Sequence, residues 1–345
     1  MTLHKMVASN PKSCQNNYNG IDIVKFLCAI MVFIIHIAPL SESLTQTLSP
    51  VENEINFWLQ NYLCRLAVPF YFVCSGFFLF KKMPPNGIDV NRVKKYCFRI
   101  IYLLGVWNVL LFLGWKGHLW YLGATVVAVT FLSICLSYHV DFKFLVIIAC
   151  VFYVLGLLGD SYLGLIEPFV REGILNILYG IHNFFVSEAK NGFYMGYIFV
   201  LMGYIFAQGK VKIKPQVSLV FFCTSMICLF VEVFILHHYS IPDDHNMYIF
   251  LVPVTFFLFA FVSSLSINDR PIYIKLRTVG TLIYFLHILI NELTAFGISM
   301  FYGALKIDLL PIQFFISLPV TLLIAFGIEW LSHKEKFNWI NWFIS

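Results

Sequence analysis

Residues 19–40 read NGIDIVKFLCAIMVFIIHIAPL, a mainly apolar run from Ile21 to Leu40 that carries Asp22, Lys25 and His36. About 20 such residues are what a helix needs to cross the hydrocarbon core of a bilayer. Nine more runs of the same kind follow: Phe57–Phe80, Tyr96–Leu113, His118–Tyr138, Phe144–Leu158, Gly192–Gln208, Val217–His237, Met247–Ser266, Val279–Tyr302 and Leu309–Leu331. Glu172–Ser187 is apolar only in part, broken by Asn176, His182 and Asn183, and reads as an interfacial or re-entrant piece. The composition agrees. The 345 residues are 60% hydrophobic and 12% charged, with 37 Phe and a mean hydropathy of +0.81, which excludes a water-soluble enzyme.

The basic residues set the orientation, because Lys and Arg are retained on the cytoplasmic side. With the N-terminus inside, 17 of the 23 Lys and Arg fall in inner segments, among them Lys81, Lys82, Arg92, Lys94, Lys95, Arg99 and Arg277. Four (Lys116, Arg171, Lys190, Lys306) fall outside, with acids such as Asp160, and Lys25 and Arg65 lie within runs. The expected fold is therefore all-α, a polytopic membrane helix bundle of about ten transmembrane helices with both termini inside. Residues 1–20 form a cytoplasmic tail, 21–332 the membrane domain and 333–345 a second cytoplasmic tail. The net charge of +5 then follows from orientation and implies no nucleic-acid partner. A polar start and a long first run predict that no signal peptide is cleaved. Nine Cys, with no C-x-x-C pair, read as packing residues, not as a disulfide or metal framework.

An ionisable group inside a run costs about 2.5–3.5 kcal/mol on insertion scales, so each one is a candidate site residue. Lys25 and His36 are eleven residues apart, which puts them on one helix face about 16 Å apart along the axis. Asp22 is too far from His36 to orient it, and reads either as part of a site or as a capping partner of Lys25. Arg65, His118, Glu232 and Glu292 fall at depths near that of His36. Either Arg65 pairs with one of the Glu, or a Glu orients His36 as a general base. Ser75, Trp120, Tyr121, Tyr284 and His287 surround this layer. Ser75-Gly76 also suits helix packing, and Trp120 and Tyr121 suit interfacial anchoring. The His and Asp of HHYSIPDDHN (237–246) have the spacing of no standard metal site, so no metal is expected.

Asp22, Lys25 and His36, then Arg65 through Phe77 with its VPFYFVCSGF stretch, then HLWY at 118–121 and YFLH at 284–287 follow the motif order of the acyltransferase family 3 membrane proteins, which the chain resembles. Within that family, GLLGDSYLGLIEP, KNGFYMGYIFVLMG and SIPDDHNMYIFLVP look most like the membrane half of the membrane-bound serine racemases of vancomycin-resistance systems. Those carry a racemase domain after the spans. With the sequence ending at Ser345, racemisation is not an expected activity.

The resemblance implies transfer of an acyl group from cytoplasmic acyl-CoA, acetyl-CoA above all, to a hydroxyl of a surface glycan or lipid-linked sugar, in a bacterial-type plasma membrane. His36 would be the general base or acyl carrier, Glu232 or Glu292 would orient it, and Arg65 would stabilise the oxyanion. Asp22, Lys25, Ser75, His118, Trp120, Tyr121, Tyr284, His287 and Glu292 would bind substrate, with a basic inner mouth of Lys25, Lys81, Lys82, Lys94, Lys95 and Arg99 for the CoA phosphates. The alternative implied is passage of serine or a small amino acid, with Arg65 on the carboxylate and Glu232 on the ammonium.

Overall fold

The computed structural model describes residues 18–42, 47–84, 87–110, 119–166, 173, 191–241, 245–305 and 308–344. These are helical throughout their ordered elements, with no strand among the described residues. The α-helices are α1 (Asn19–His36), α2 (Pro50–Trp58), α3 (Ala67–Phe80), α4 (Val90–Leu110), α5 (Trp120–Ser137), α6 (Phe142–Leu158) and α7 (Leu163–Ile166). They continue as α8 (Tyr197–Ala207), α9 (Pro215–His238), α10 (Leu251–Ser264), α11 (Pro271–Leu305), α12 (Gln313–Ser332) and α13 (Asn341–Ile344).

The described parts of the ten apolar runs fall mainly on helix, but they are not equal. Among the described residues six helices are long and apolar enough to cross a membrane: Asn19–His36, Pro50–Phe80, Trp120–Ser137, Pro215–His238, Pro271–Gly303 and Leu310–Ser332. Three more, Phe142–Leu158, Gly192–Ala207 and Leu251–Ser264, are apolar but shorter. The remaining run lies on α4, whose first half carries Arg92, Lys94, Lys95 and Arg99. Apart from Gly173, the segment 172–187 read as interfacial lies outside the described residues, as does His118.

Sequence explains the breaks. Ser49 opens α2 with a capping box, its hydroxyl accepting from the Glu52 N–H while the Glu52 carboxylate accepts from the Ser49 N–H, and Pro50 takes the first turn. Between α2 and α3 the chain passes through a π-helical stretch (Leu59–Leu63) and a 3-10 turn (Cys64–Leu66). Pro69 lies four residues beyond Arg65, and its ring and missing N–H disrupt a regular helix at that point. Gln60, Asn61 and Arg65 are all presented from this irregular turn.

The most buried helix is α3, packed against α8. Gly76 backs onto the Val200 carbonyl and Gly203 onto backbone atoms of Val73 and Phe77, so two glycines let the helix axes approach. Ser75-Gly76 does therefore serve packing through its glycine. Outward-facing side chains are apolar, with Val109, Phe98, Leu323 and Ile227 all mainly exposed, as lipid contact requires.

Helices α1 and α11 run side by side and parallel. Asp22, 1% exposed, accepts two bonds from the Arg277 guanidinium, at 2.9 Å from Nε and 2.6 Å from Nη2. The expected capping pair of Asp22 with Lys25 is thus corrected: the carboxylate is engaged by an arginine 255 residues away, which sequence had counted as an inner-loop charge. Arg277→Ala would leave a buried carboxylate uncompensated. Because Arg277 is half exposed, the loss is expected at the lower end for such pairs, about 3 kcal/mol, read as a lowered melting temperature in nanodiscs.

Candidate functional site

Helices α1, α3, α4, α5 and α11 enclose a cavity of about 290 Å³. Its polar lining is Lys25, Tyr71, Ser75, Tyr96, Tyr121, Thr281 and Tyr284, among apolar residues that include Val32, Val68 and Phe285. Four residues picked from sequence, Lys25, Ser75, Tyr121 and Tyr284, meet here from four separate helices. The Ser75 and Tyr121 hydroxyls are 2.8 Å apart, and the Tyr71 hydroxyl donates to the Lys25 carbonyl at 2.6 Å. Lys25 is the one formal charge in the lining. Its ammonium has no hydrogen-bond or ion-pair partner among the described residues, because Asp22 is taken by Arg277.

From this cavity a line of rings leads toward the end of α1. Tyr121 and Tyr284 lie 6.0 Å apart between centroids, Tyr284 and His287 6.4 Å, and His287 and His36 5.2 Å with their planes tilted by 37°. His287 is fully buried, and its Nδ1 lies 3.0 and 2.9 Å from the carbonyls of Ile283 and Tyr284. A carbonyl only accepts, so Nδ1 carries the proton and a neutral ring has its lone pair on Nε2. His36 is exposed at the last turn of α1. Gln60 donates to the Ile34 and Ile35 carbonyls there, and Asn56 exchanges two bonds with Leu40, which hold the end of α1 in place.

No carboxylate bonds His36 among the described residues, and this corrects the expected role of Glu232. Glu232 lies on α9, 7% exposed, with Oε1 accepting from the Tyr162 hydroxyl at 2.5 Å and the Ile249 N–H at 2.6 Å, and Oε2 from the Phe250 N–H at 2.9 Å. The carboxylate thereby satisfies N–H groups just ahead of α10 and suits the positive end of that helix. Glu232→Gln offers one acceptor oxygen in place of two and is expected to destabilise by about 1.5–3 kcal/mol, with turnover falling only as folded protein is lost. A melting curve beside a turnover assay checks both. Glu292 is exposed on α11, five residues beyond His287 and about 140° round the helix from it.

Arg65 does not bond Glu232 either. Its Nη1 donates to Asn246 Oδ1 and its Nη2 to Asn61 Oδ1, both at 2.7 Å. Behind Asn246 stands Asp160, counted in sequence as a loop acid but only 1% exposed, which accepts from the N–H groups of Asn246 and Met247, the Asn246 amide and the Ser161 hydroxyl. Trp120 lies 6.3 Å from Phe72 and does not line the cavity. His237, in the last turn of α9, binds Glu54 at 3.0 Å and stacks on Phe57.

On the other side of the cavity a larger groove, about 1060 Å³, runs along one stripe of α4. It is lined by Lys82, Arg92, Lys95 and Arg99 with Phe98, Tyr102 and Trp342, and by Asp89, which pairs with Arg92 at 3.6 Å. Phe78 and Tyr96 line both groove and cavity, so one pair of side chains separates them. Arg92 donates to the Lys82 carbonyl and Arg99 to that of Trp342, while the Lys82 and Lys95 ammonium groups are unengaged among the described residues. Lys81, expected in the basic mouth, instead sits over the rings of Tyr18 and Phe77. Asn61, Gln60, Tyr71, Tyr96 and Asn246 are not among the site residues that the sequence singles out, and Asp160 is read there only as an outer acid. Only Asn61, four residues before Arg65, carried a local signal.

Comparison with known proteins gives this arrangement a family. Residues 18–115 match the acyltransferase family 3 model, described as an acyltransferase domain, and this stretch contains Asp22, Lys25, His36, Arg65 and Ser75. Two enterococcal proteins are similar over most of the chain. A serine/alanine racemase of Enterococcus gallinarum is 30% identical over 271 residues, 70% of this chain and 37% of that protein. An amino-acid racemase of Enterococcus faecalis is 28% identical over 326 residues, 85% of this chain and 43% of that protein. The matched stretches span less than half the length of these relatives. No solved structure matches. The resemblance drawn from the motifs is borne out: the chain carries an acyltransferase family 3 domain and is consistent with the membrane domain of such racemases. The six apolar helices and the family match fit an integral membrane protein, and the family supports a membrane acyltransferase.

Proposed function

We propose that the protein moves an acyl group, acetyl first among candidates, from cytoplasmic acyl-CoA to a hydroxyl of an envelope glycan or lipid-linked sugar across a bacterial plasma membrane. The observation that carries this reading is the adjacency of the basic groove to the Lys25 cavity, which share Tyr96 and Phe78 in their linings, and the ring contacts that link the cavity's Tyr284 to His287 and His287 to His36. Lys82 and Lys95 would take the CoA phosphates as charge-assisted pairs. The pantetheine arm would occupy the cavity, whose apolar walls and hydroxyls suit an amide-bearing chain.

At the far end His36 would accept the proton of the acceptor hydroxyl as its oxygen attacks the thioester carbonyl. The tetrahedral oxyanion would be stabilised by Arg65. As the C–S bond breaks, the proton returns from His36 to the leaving thiolate. Purified protein in nanodiscs, given radiolabelled acetyl-CoA, should bind it and hydrolyse its thioester slowly, in a manner dependent on His36. Absence of binding with acetyl-CoA and longer acyl-CoAs would overturn the reading.

One observation favours a second reading. Lys25 is a lone cation in a cavity of small-molecule size, and the similar proteins are named for serine, alanine and amino acids. A transporter for serine or another small amino acid would place the substrate carboxylate on Lys25. The role assigned to Glu232 in such transport falls away, because its oxygens hold Ile249, Phe250 and Tyr162. Counterflow of labelled serine in proteoliposomes, abolished by Lys25→Ala, would support transport.

A further inference from the structure

Along α4 the charges stop halfway. Arg92, Lys95 and Arg99 recur at three- and four-residue spacing and share one face, while residues 100–110 carry no charge. Beside the last of these cations Phe98 is 72% exposed, and Trp342 of α13, which lines the same groove, is 68% exposed. We propose that this groove is a binding site for an anionic phospholipid, with the headgroup phosphate on Lys82 and Lys95 and an acyl chain along Phe98, Tyr102 and Trp342.

The two arginines build the walls, and the two lysines are left to bind. Arg92 donates to the Lys82 carbonyl at 2.6 Å and its backbone N–H to Asp89 at 3.0 Å, which ties the segment ahead of α4 to the helix. Arg99 donates to the Trp342 carbonyl at 2.9 Å and Trp107 Nε1 to the Phe343 carbonyl at 2.9 Å, so α13 is seated on α4. Lys82, just past α3, and Lys95 are both exposed, and neither ammonium group is engaged among the described residues. Four cations share the groove with one acid, Asp89, which already pairs with Arg92, and the groove is therefore positive. Phosphate oxygens accept from ammonium groups in charge-assisted bonds.

The order of residues along the helix separates a lipid phosphate from a soluble one. From Lys95 to Tyr102 the helix rises about 10 Å, so a phosphate at Lys95 brings the start of its acyl chains beside Phe98 and Tyr102. Basic residues, then Tyr and Trp, then exposed apolar positions such as Val109 is the order found where headgroups give way to hydrocarbon. A water-soluble phosphate would engage the lysines and leave Phe98 and Trp342 uncovered, whereas a phospholipid covers both ends of the groove. Lys82 and Lys95 are also the groups assigned to the CoA phosphates. Lipid and acyl-CoA would thus exclude each other, a consequence that rests on the acyl-transfer reading above.

The test is photo-crosslinking of the full chain in phosphatidylcholine nanodiscs that contain a small fixed fraction of phosphatidylglycerol with a diazirine on one acyl chain. Peptide mass spectrometry should place adducts on residues 98–102 and on Trp342, in severalfold higher yield than with the same diazirine on phosphatidylcholine. Lys82→Gln combined with Lys95→Gln should lower that yield by about tenfold or more, while adducts on Val109, which meets bulk lipid, stay unchanged. Glycerol 3-phosphate in solution should not compete, because it lacks the chains. Equal yields for the two headgroups, or an undiminished yield in the double variant, would overturn the lipid site. Displacement by glycerol 3-phosphate would make the groove a site for soluble phosphates and overturn it as well. Added CoA should reduce the adducts on 98–102 and Trp342. If those adducts form with phosphatidylglycerol and CoA leaves them unchanged, the lipid site stands and the placement of CoA in the groove fails.

Discussion

His36→Ala is expected to reduce acyl-CoA thioester turnover by about 10²- to 10⁴-fold, the range for removal of a positioned general base. The expectation follows from placement. His36 ends α1 beside the buried His287, with Gln60 and Asn56 tying down the same turn, so a stable backbone holds the imidazole. Among the described residues no acid is bonded to it, and its removal breaks no ion pair there. The variant should therefore fold as wild type does, and its melting temperature should be unchanged. Turnover of radiolabelled acetyl-CoA measured on equal amounts of folded protein decides the matter. Near-normal turnover in His36→Ala would remove His36 from the chemistry.

The largest structural effect is expected at the contact of α3 with α8. Gly203→Leu would drive a side chain into the Val73 carbonyl, the Phe77 nitrogen and the backbone of Gly76, none of which can rotate away. Overpacking into mobile side chains costs about 1–3 kcal/mol, and against backbone the cost lies at or above the top of that range. Most of the protein should then fail to elute as a monodisperse peak. Gly105→Leu is the matching control, because a Cβ there meets nothing within 4 Å. If the two variants behave alike, the glycine contact does not hold the bundle together.

Hydropathy and motif order together located the helices and four of the polar residues that line the cavity. That success has a simple cause. A helix in lipid satisfies its own backbone groups and must present apolar side chains to hydrocarbon along its length, so its signature is local and survives in the chain order. Lys25, Ser75, Tyr121 and Tyr284 could be picked singly as polar or hydroxyl groups in apolar runs, and the structure gathers them in one cavity. Pro69 likewise marks, one turn away, the irregular helix that presents Arg65.

Pairing was another matter. Sequence placed Glu232, Glu292, Arg65 and His36 at similar depths, and similar depth allows several partners. The structure instead gives Glu232 to the start of α10, Arg65 to Asn61 and Asn246, and Asp22 to Arg277. Asp160 is read from sequence as an outer-loop acid, yet it is buried at the root of the segment that carries Asn246.

Charge counts and hydropathy report how far along a helix a residue sits. Which face meets which neighbour depends on rotation and packing order, set by contacts such as the glycines of α3 and α8. Composition was thus enough to put this chain in a membrane as a helical bundle with a basic face, and the motifs to suggest its family. Packing across some 255 residues of separation decided which charges are paired, which leaves Lys25 without a partner in its cavity and places a buried histidine beside His36.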